Sequence, residues 1–285
     1  MTDTNETKSV LITGCSSGIG LATAEGLAAR GWQTFASARR AEDVERLSAM
    51  GLNGVLLDLR DSRSIRAALA EVLERTNGTL DALVNNAGFG QPGAVEDLSR
   101  ETLREQFETN LFGPHELTSL VLPIMRQQEQ GRIVFVSSLL GYVALPYRGA
   151  YNASKYAMEG LVDTLRLELH GSGISVSLIE PGPVRSLFRA NAYAAFQRNI
   201  DPNKSIHAAQ YAALEQRFTT KGSVSIFTRG TSTVRAKIVH ALESPQPQLR
   251  YPVTFPAHLF TVLRRLLPTS ALDWILWQIG ESERR

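Results

Sequence analysis

The sequence has 285 residues, of which 43% are apolar and 20% are charged, and its formal net charge is +2 at pH 7. This composition is ordinary for a globular protein, and the length suits one large domain or two small ones. A net charge this small, without a basic run, gives no argument for nucleic-acid binding, so no nucleic-acid partner is expected. The single cysteine, Cys15, excludes an internal disulfide and favours a reducing compartment, so a cytoplasmic protein is expected.

Neither a secretion signal nor a membrane span is predicted. The first nine residues are polar and partly acidic, and lack the basic start and apolar stretch of a signal peptide. No charge-free apolar run reaches the roughly 18 residues that a spanning helix needs. No metal-binding set of residues is predicted.

A glycine-rich segment follows the first predicted strand. Residues 9–13 are a short apolar run typical of a buried parallel strand, and residues 21–30 favour a helix that ends at Gly31. Between them lies Thr13-Gly14-Cys15-Ser16-Ser17-Gly18-Ile19-Gly20. Strand, glycine loop and helix in this order predict a dinucleotide site, because glycines let the backbone approach a pyrophosphate at a helix N-terminus. The alternative is a tight turn with surplus glycine.

The end of the second predicted strand bears on cofactor choice. Residues 32–37 form that strand, and Ala38, Arg39 and Arg40 follow it. A carboxylate here would bind the ribose 2′-hydroxyl of NAD, whereas an arginine suits the 2′-phosphate of NADP. Two arginines and no carboxylate therefore predict NADP(H), bound by a guanidinium. The arginines could instead be an ordinary surface pair, which leaves NAD(H) open.

Strands and helices alternate over the first 180 residues or so, which predicts parallel βαβ units in one doubly wound sheet. A long helical stretch at 100–127 is interrupted at Gly113-Pro114 and again near Pro123. Asp58 ends a strand, where it could face a ligand or cap the next helix. The remaining predicted helices are 41–49, 62–75 and 150–171, and the remaining predicted strands are 54–58, 80–84, 131–137 and 174–179.

Tyr151 and Lys155 are four residues apart in a predicted helix and so share one face. A phenol titrates near pKa ~10, and an adjacent ammonium favours the phenolate, so we expect Lys155 to lower the pKa of Tyr151. The pair is a candidate proton donor with its tuning charge beside it. Taken alone, it could equally be an ordinary solvated helix face.

Together these motifs resemble the short-chain dehydrogenase/reductase family over residues 8–185, and most closely bacterial reductases akin to retinol and hydroxysteroid dehydrogenases. The matches are Thr13-Gly14-x-x-x-Gly18-x-Gly20, Asn85-Asn86-Ala87-Gly88, Asn110, Ser138, Tyr151-x-x-x-Lys155 and Pro181-Gly182. The resemblance implies a Rossmann fold. In such proteins the cofactor supplies the hydride, and the protein supplies orientation and proton transfer.

The resemblance also implies a role for each matched residue. Tyr151 would exchange the proton and Ser138 would hydrogen-bond the substrate oxygen. Lys155 would bind the nicotinamide ribose, and Asn110 would hold a water that links Lys155 to solvent. Further residues would bind the cofactor. Its diphosphate would be bound by Gly14, Ser16, Ser17, Gly18, Ile19 and Gly20, and its 2′-phosphate by Arg39. Asp58 and Leu59 would contact the adenine, Asn86, Ala87 and Gly88 would line the cofactor groove, and Pro181, Gly182 and Val184 would pack on the nicotinamide.

Two features of the glycine loop qualify this assignment. Ser17 stands before Gly18 where NADP-dependent members carry a basic residue, so the prediction of NADP(H) depends mainly on Arg39. Cys15 is interpreted as packing, since a buried free cysteine behaves as a small apolar side chain.

The C-terminal third departs from this pattern. Residues 185–230 are rich in alanine and aromatics, and the resemblance implies a lid over the substrate. Tyr142 and Tyr147 are candidate pocket walls. A helix at 231–242 and a strand at 249–253 precede an apolar tail, which Arg264, Arg265, Pro268 and Asp273 divide into two amphipathic pieces. The predicted organisation is a domain at 1–255 and a helical extension at 256–285, which packs on the protein or a partner, borders the substrate entrance, or lies on a membrane surface.

The sequence thus predicts an NADPH-dependent reductase of an apolar aldehyde or ketone, of long-chain aldehyde, retinoid or steroid type. The resemblance further implies a homodimer or homotetramer. The alternatives are an NAD(H)-dependent alcohol or hydroxysteroid dehydrogenase, a non-catalytic dinucleotide-sensing regulator, and a membrane-surface scaffold that uses the aromatic tail. A regulator of that kind usually loses the tyrosine or the lysine, and both are present here.

Overall fold

The structure is a computed structural model that describes residues 7–219 and 226–282. Its centre is a parallel sheet in the order β3-β2-β1-β4-β5-β6-β7. The strands are β1 (Ser9–Ile12), β2 (Gln33–Ala38), β3 (Asn53–Leu56), β4 (Ala82–Asn85), β5 (Gly131–Val136), β6 (Ile174–Glu180) and β7 (Arg250–Pro252). Strand order reverses between β1 and β4, so the predicted doubly wound α/β sheet is confirmed.

Helices cover both faces of the sheet, as apolar strands buried on two sides require. Those that connect β1 through to β6 are α1 (Gly18–Ala28), α2 (Ala41–Ala49), α3 (Ser62–Arg75), α4 (Arg100–Phe107), α5 (Gly113–Gln127) and α6 (Gly149–Glu168). Two apolar cores result. One lies between the sheet and α3, α5 and α6, and the other lies between the sheet and α1 and α9 (Thr231–Glu243).

The helical stretch at 100–127, for which two interruptions are predicted, has one. A π-helical turn, Glu108–Phe112, separates α4 from α5, just before Gly113-Pro114 as the sequence indicates. The second predicted break is wrong, since α5 continues through Pro123. A proline in a helix removes only its own N–H bond to the preceding turn, and the helix tolerates this where the remaining bonds and its buried face hold it.

The C-terminal third supplies a helical cover. Helices α7 (Phe188–Asn199) and α8 (Ala208–Thr219) pack together through Phe196, Tyr211 and Leu214. Helices α10 (Phe255–Leu266) and α11 (Thr269–Ser282) pack on the turn after β5 through Tyr142, Phe260 and Leu276. The predicted lid at 185–230 and tail at 256–285 both extend outside the described residues, and the division at residue 255 stays a prediction.

Within the described residues, no helix combines the length and apolar character needed to cross a bilayer.

Candidate active site

Tyr151 and Ser138 lie at the carboxyl edge of the sheet, where a parallel sheet presents its ligand site. Tyr151 is in the first turn of α6, and Ser138 comes two residues after β5. The Ser138 side chain lies near the Tyr151 phenol and acts to lower the pKa of that phenol, while its hydroxyl donates to the Pro181 carbonyl at 3.5 Å. Its position is fixed by the Leu140 amide, which donates to Ser138 Oγ at 3.1 Å. The hydroxyl groups of Ser138 and Tyr151 are therefore neighbours at this edge of the sheet.

The Lys155 side chain is buried beneath this pair. Its ammonium donates to the carbonyl oxygen of Val136 at 2.8 Å and lies 5.9 Å from the centre of the Tyr151 ring. Burial lowers the pKa of Lys155 to about 8, and the nearby Glu159 carboxylate opposes that shift. Lys155 is thus a buried cation at neutral pH, held by the last strand residue of β5.

The expectation that Lys155 lowers the pKa of Tyr151 is wrong for this structure. Burial raises the pKa of Tyr151 to about 12, against smaller opposing effects of the Ser138 side chain and the Arg148 charge. The reason is geometric, because the Lys155 ammonium points toward the Val136 carbonyl rather than the phenol oxygen. The phenol is accordingly protonated at neutral pH, which is the form that donates a proton.

Asn110 is fully buried in the π turn and fastens two elements of the site. Its amide nitrogen donates to Phe89 O at 3.0 Å and to Ser154 Oγ at 3.1 Å, and its oxygen accepts from Phe89 N at 3.1 Å. The side chain therefore joins the loop after β4 to helix α6. The predicted link from Asn110 through water to Lys155 stays a prediction.

The glycine loop presses against the loop after β4. Gly14 has φ +73°, and a Cβ there would lie 2.7 Å from Ala87 Cα. Asn86 Nδ2 donates to the carbonyls of Thr13 at 2.8 Å and Gly14 at 3.1 Å. Thr13 Oγ1 accepts from the amides of Asn86 and Ala87. Only glycine fits this close approach, and it leaves a backbone cradle at the N-terminus of α1, as a dinucleotide diphosphate requires.

Ser17 and Ser16 also fit an anion-binding loop. Ser17 precedes α1 in extended conformation and its side chain makes no capping hydrogen bond, while the first turn of α1 holds no acidic residue. Cys15 is fully buried, and burial raises the pKa of its thiol to about 12, which supports the packing interpretation. Ile19 packs on the core, and Gly20 faces the Gly14 carbonyl so closely that a side chain would not fit.

Arginines surround the far end of the groove. Arg39 and Arg40 are exposed after β2, and Arg40 lies 3.4 Å from Glu42. Arg46, on α2, was missed by sequence reasoning. Its guanidinium donates to the Ser16 carbonyl at 2.6 Å and pairs with Asp43 at 2.8 Å. No local pattern in the sequence marks Arg46, because its contact depends on how α2 folds back over the loop that precedes α1.

Asp58 does not cap helix α3, so that alternative is wrong. Asp61 is the cap, and its side chain accepts from the Arg63 amide. The Asp58 carboxylate is instead bound by Arg60, whose hydrogen bonds hold the pKa of Asp58 below its usual value. Leu59 is buried, and its carbonyl lies against Gly113.

Residues 181–184 close the other end of the groove. The carbonyl of Pro181 accepts from the Leu139 amide at 2.8 Å, which ties this segment to Ser138. Gly182 abuts the Thr254 side chain and Val184 pairs with Arg229. Across the groove, a Cβ on Gly88 would lie 3.2 Å from Asn110 Oδ1. The loops after β1, β4, β5 and β6 thus meet at the carboxyl edge of the sheet, and their binding of a cofactor stays a prediction.

The family model described as short chain dehydrogenase matches residues 8–195, about two thirds of the chain. The chain belongs to the short-chain dehydrogenase family. It is accordingly an oxidoreductase that acts with a nicotinamide cofactor.

Relatives of this short-chain dehydrogenase include an uncharacterized oxidoreductase, YbbO, of Escherichia coli K12, which is 44% identical over 94% of both chains. The 17-beta-hydroxysteroid dehydrogenase type 6 of Bos taurus is 36% identical over 94% of this chain and 87% of its own. Among solved structures, a short chain dehydrogenase/reductase from Burkholderia phymatum in complex with NAD has a TM-score of 0.75 and 28% identity, over 90% of this chain and 92% of its own.

An acidic cluster behind Lys155 was also missed by sequence reasoning. Arg250 of β7 pairs with Glu159 of α6, with Glu180 of β6 at 2.6 Å and with Asp163 at 2.6 Å. Burial and neighbouring carboxylates raise the pKa of Glu180 to about 7 and raise that of Glu159 as well. The only signal in the sequence was Glu159, one helical turn after Lys155.

The aromatic residues near the site take separate roles. Tyr142 is buried and donates to the Ala257 carbonyl at 2.8 Å, so it anchors α10 and its prediction as a pocket wall is wrong. Tyr147 does line a cleft of about 590 Å³, together with Val95, His207 and Trp277. Phe188 of α7 meets the Tyr151 ring edge-on with 5.4 Å between centroids.

Proposed function

We propose that the enzyme is an NADPH-dependent reductase of aldehydes or ketones with an apolar body. The observation that carries this proposal is the protonated Tyr151 phenol, which lies near the Ser138 hydroxyl at the carboxyl edge of the sheet. A phenol with a pKa near 12 holds its proton at neutral pH and can give it up only to a strongly basic oxygen. The alkoxide formed when a carbonyl is reduced is such an oxygen.

The residues would share the work as follows. Tyr151 donates the proton, and Ser138 donates a second hydrogen bond that orients the carbonyl oxygen. The buried Lys155 cation favours negative charge developing nearby and holds the nicotinamide ribose. Asn110 keeps the Phe89 loop and α6 in register. The nicotinamide supplies the hydride when it is bound.

The groove supports a phosphorylated dinucleotide. The cradle of Gly14, Ser16, Ser17, Gly18, Ile19 and Gly20 suits the diphosphate, and Arg39 and Arg46 offer two guanidinium groups where a 2′-phosphate would lie. Asp58 and Leu59 would border the adenine, and Asn86, Ala87, Gly88, Pro181, Gly182 and Val184 the nicotinamide half. NAD(H) remains the second candidate, favoured by the Burkholderia relative that is in complex with NAD.

An apolar substrate is supported by the surroundings of Tyr151. Phe188 packs on its ring, and the nearby cleft carries Tyr147 and Trp277. Aromatic walls favour bulky apolar ligands, and Glu96, His207 and Glu281 add polar groups to the same cleft. The relative from Bos taurus is called a hydroxysteroid dehydrogenase, which agrees with a large apolar alcohol or ketone. A homodimer or homotetramer stays a prediction.

The test is a panel of aldehydes and ketones with NADPH consumption as the readout. Wild-type protein should turn over apolar members, and Tyr151→Phe should lose nearly all turnover while NADPH binding, followed by fluorescence, is kept. Tyr156→Phe is the matched control, because Tyr156 is exposed on the same helix and should behave as wild type. Turnover retained by Tyr151→Phe would refute the assignment.

A further inference from the structure

Helix α10 presents an apolar stripe to solvent. Phe255, Leu259, Val262 and Leu266 are 56%, 39%, 52% and 73% exposed. Their spacing of four, three and four residues places them on one helix face. The opposite face, with Ala257 and Phe260, is buried against the turn after β5. Helix α10 therefore has a buried apolar face and a second apolar face that is largely exposed.

One end of this stripe contacts a segment that is paired with residues 183–185. The Phe255 ring stacks on Phe227 with 5.4 Å between centroids. Two residues further, Arg229 pairs through its backbone with Pro183 and Arg185, at the nicotinamide end of the groove. Beyond them, Leu187 and Phe188 are exposed, and Phe188 touches Tyr151. Exposed apolar side chains thus occur on α10, at Phe227 and at the start of α7, where Phe188 contacts Tyr151.

Exposed arginines border the apolar stripe. Arg264 and Arg265 lie in the last turn of α10 and are exposed, and Arg229 is exposed two residues after Phe227. Apolar side chains bordered by arginines complement an anionic lipid surface.

We propose that the face formed by Phe227, Phe255, Leu259, Val262 and Leu266 docks the enzyme on an anionic lipid bilayer, with the mouth of the active site against the bilayer surface. The apolar side chains enter the interface, and Arg229 and Arg265 contact lipid phosphates. Docking itself does not depend on the reaction. Delivery of an apolar carbonyl from the bilayer to Tyr151 follows from docking and relies on the function proposed above.

Vesicle flotation tests the docking. Wild-type protein is mixed with phosphatidylcholine vesicles, or with vesicles containing about one third phosphatidylglycerol, in low and raised salt. Binding should require the anionic lipid and weaken as salt rises. Leu259→Gln/Val262→Gln should lower binding at least about tenfold, because two apolar side chains no longer enter the interface. Arg229→Glu/Arg265→Glu should abolish it.

Matched controls separate docking from folding. Leu167→Gln changes another exposed leucine on α6, and Arg63→Glu/Arg104→Glu reverses two exposed arginines elsewhere, and both should bind vesicles as wild type does. Thermal melting confirms that each variant is folded. The readout does not involve turnover, so it stands whether or not the reductase assignment holds.

Three results would overturn the proposal. The first is wild-type protein that stays with the unbound fraction. The second is an equal loss of binding in the control variants. The third combines two observations: wild-type protein does not bind vesicles, and Leu259→Gln/Val262→Gln forms a smaller particle than wild type in light scattering. That result would make this face a contact between two copies of the chain.

Discussion

The Lys155 ammonium lies 5.9 Å from the centre of the Tyr151 ring and donates its 2.8 Å hydrogen bond to the Val136 carbonyl. The two side chains share a helix face, as their spacing predicts, but the cation sits under the ring rather than at the phenol oxygen. Tyr151 is therefore a protonated donor, and Ser138 rather than Lys155 is the polar group that acts most on the pKa of its phenol.

Replacing Ser138 with alanine should reduce kcat about a hundredfold or more, which is the usual effect of losing one donor to a developing oxyanion. NADPH affinity should change little, since Ser138 faces Tyr151 rather than the glycine loop. Ser138→Thr keeps a hydroxyl and should recover part of the rate. Steady-state kinetics with a saturating carbonyl substrate measures both, and an unchanged kcat in Ser138→Ala would contradict the assigned role.

Glu159→Gln should shift the alkaline limb of the pH–rate profile to lower pH. Burial lowers the pKa of Lys155 to about 8, and the Glu159 carboxylate opposes this. Without that carboxylate, the pKa of Lys155 falls further, so the cation is lost at a lower pH. The measurement is kcat/KM against pH from neutral to alkaline.

Asp163→Asn is the control for this shift, because Asp163 also pairs with Arg250 but is not among the groups that act on Lys155. Its profile should keep the wild-type limb. An equal shift in both variants would mean that the cluster acts through folding rather than through the charge of Glu159.

Arg39→Ala and Arg46→Ala should each weaken NADPH binding by about tenfold or more, since each removes a charged hydrogen bond to the 2′-phosphate. NADH lacks that phosphate, so the KM for NADH should stay nearly constant. The preference of the enzyme for NADPH over NADH should therefore become smaller. Arg40→Ala is the matched control, because its guanidinium lies near Glu42 and should change neither KM. If Arg46→Ala weakens the binding of NADPH and of NADH equally, Arg46 only supports the glycine loop.

Gly14→Ala and Gly160→Ala should change the free energy of unfolding in opposite directions. Gly14 has φ +73° and no room for a Cβ beside Ala87, so alanine should lower the free energy of unfolding by about 1–3 kcal/mol and impair cofactor binding. Gly160 lies in α6 with open space around it, so alanine should stabilise the protein by ~0.5–1 kcal/mol. Urea unfolding with and without NADPH measures both effects, and a stable, cofactor-binding Gly14→Ala would contradict the cradle.

The sequence predicted what depends on local pattern. Helices α2 and α3 begin and end where their periodicity indicated, and the glycine loop occurs between strand and helix as expected. The predictions that proved wrong depend on side-chain direction. The cap of α3 is Asp61 rather than Asp58, and Tyr142 anchors α10 rather than lining the pocket.

The missed residues depend on distant pairing. Arg250 reaches Glu159 and Glu180 only because β7 lies beside β6 in the sheet, although 91 and 70 residues separate the partners along the chain. Arg46 reaches Ser16 only because α2 folds back over the loop before α1. Neither contact leaves a periodic trace, so hydrophobic patterning could not reveal it.

The Asn86 amide, which holds the carbonyls of Thr13 and Gly14, ties the loop after β4 to the glycine loop, and the proposed dinucleotide would contact both. A substitution that loosens the diphosphate end should therefore also misplace the ring from which hydride leaves. Coenzyme preference should therefore change most readily through the exposed arginines, which take no part in the Asn86 hydrogen bonds. Substitutions there can alter the affinity for the coenzyme without disturbing the geometry of hydride transfer.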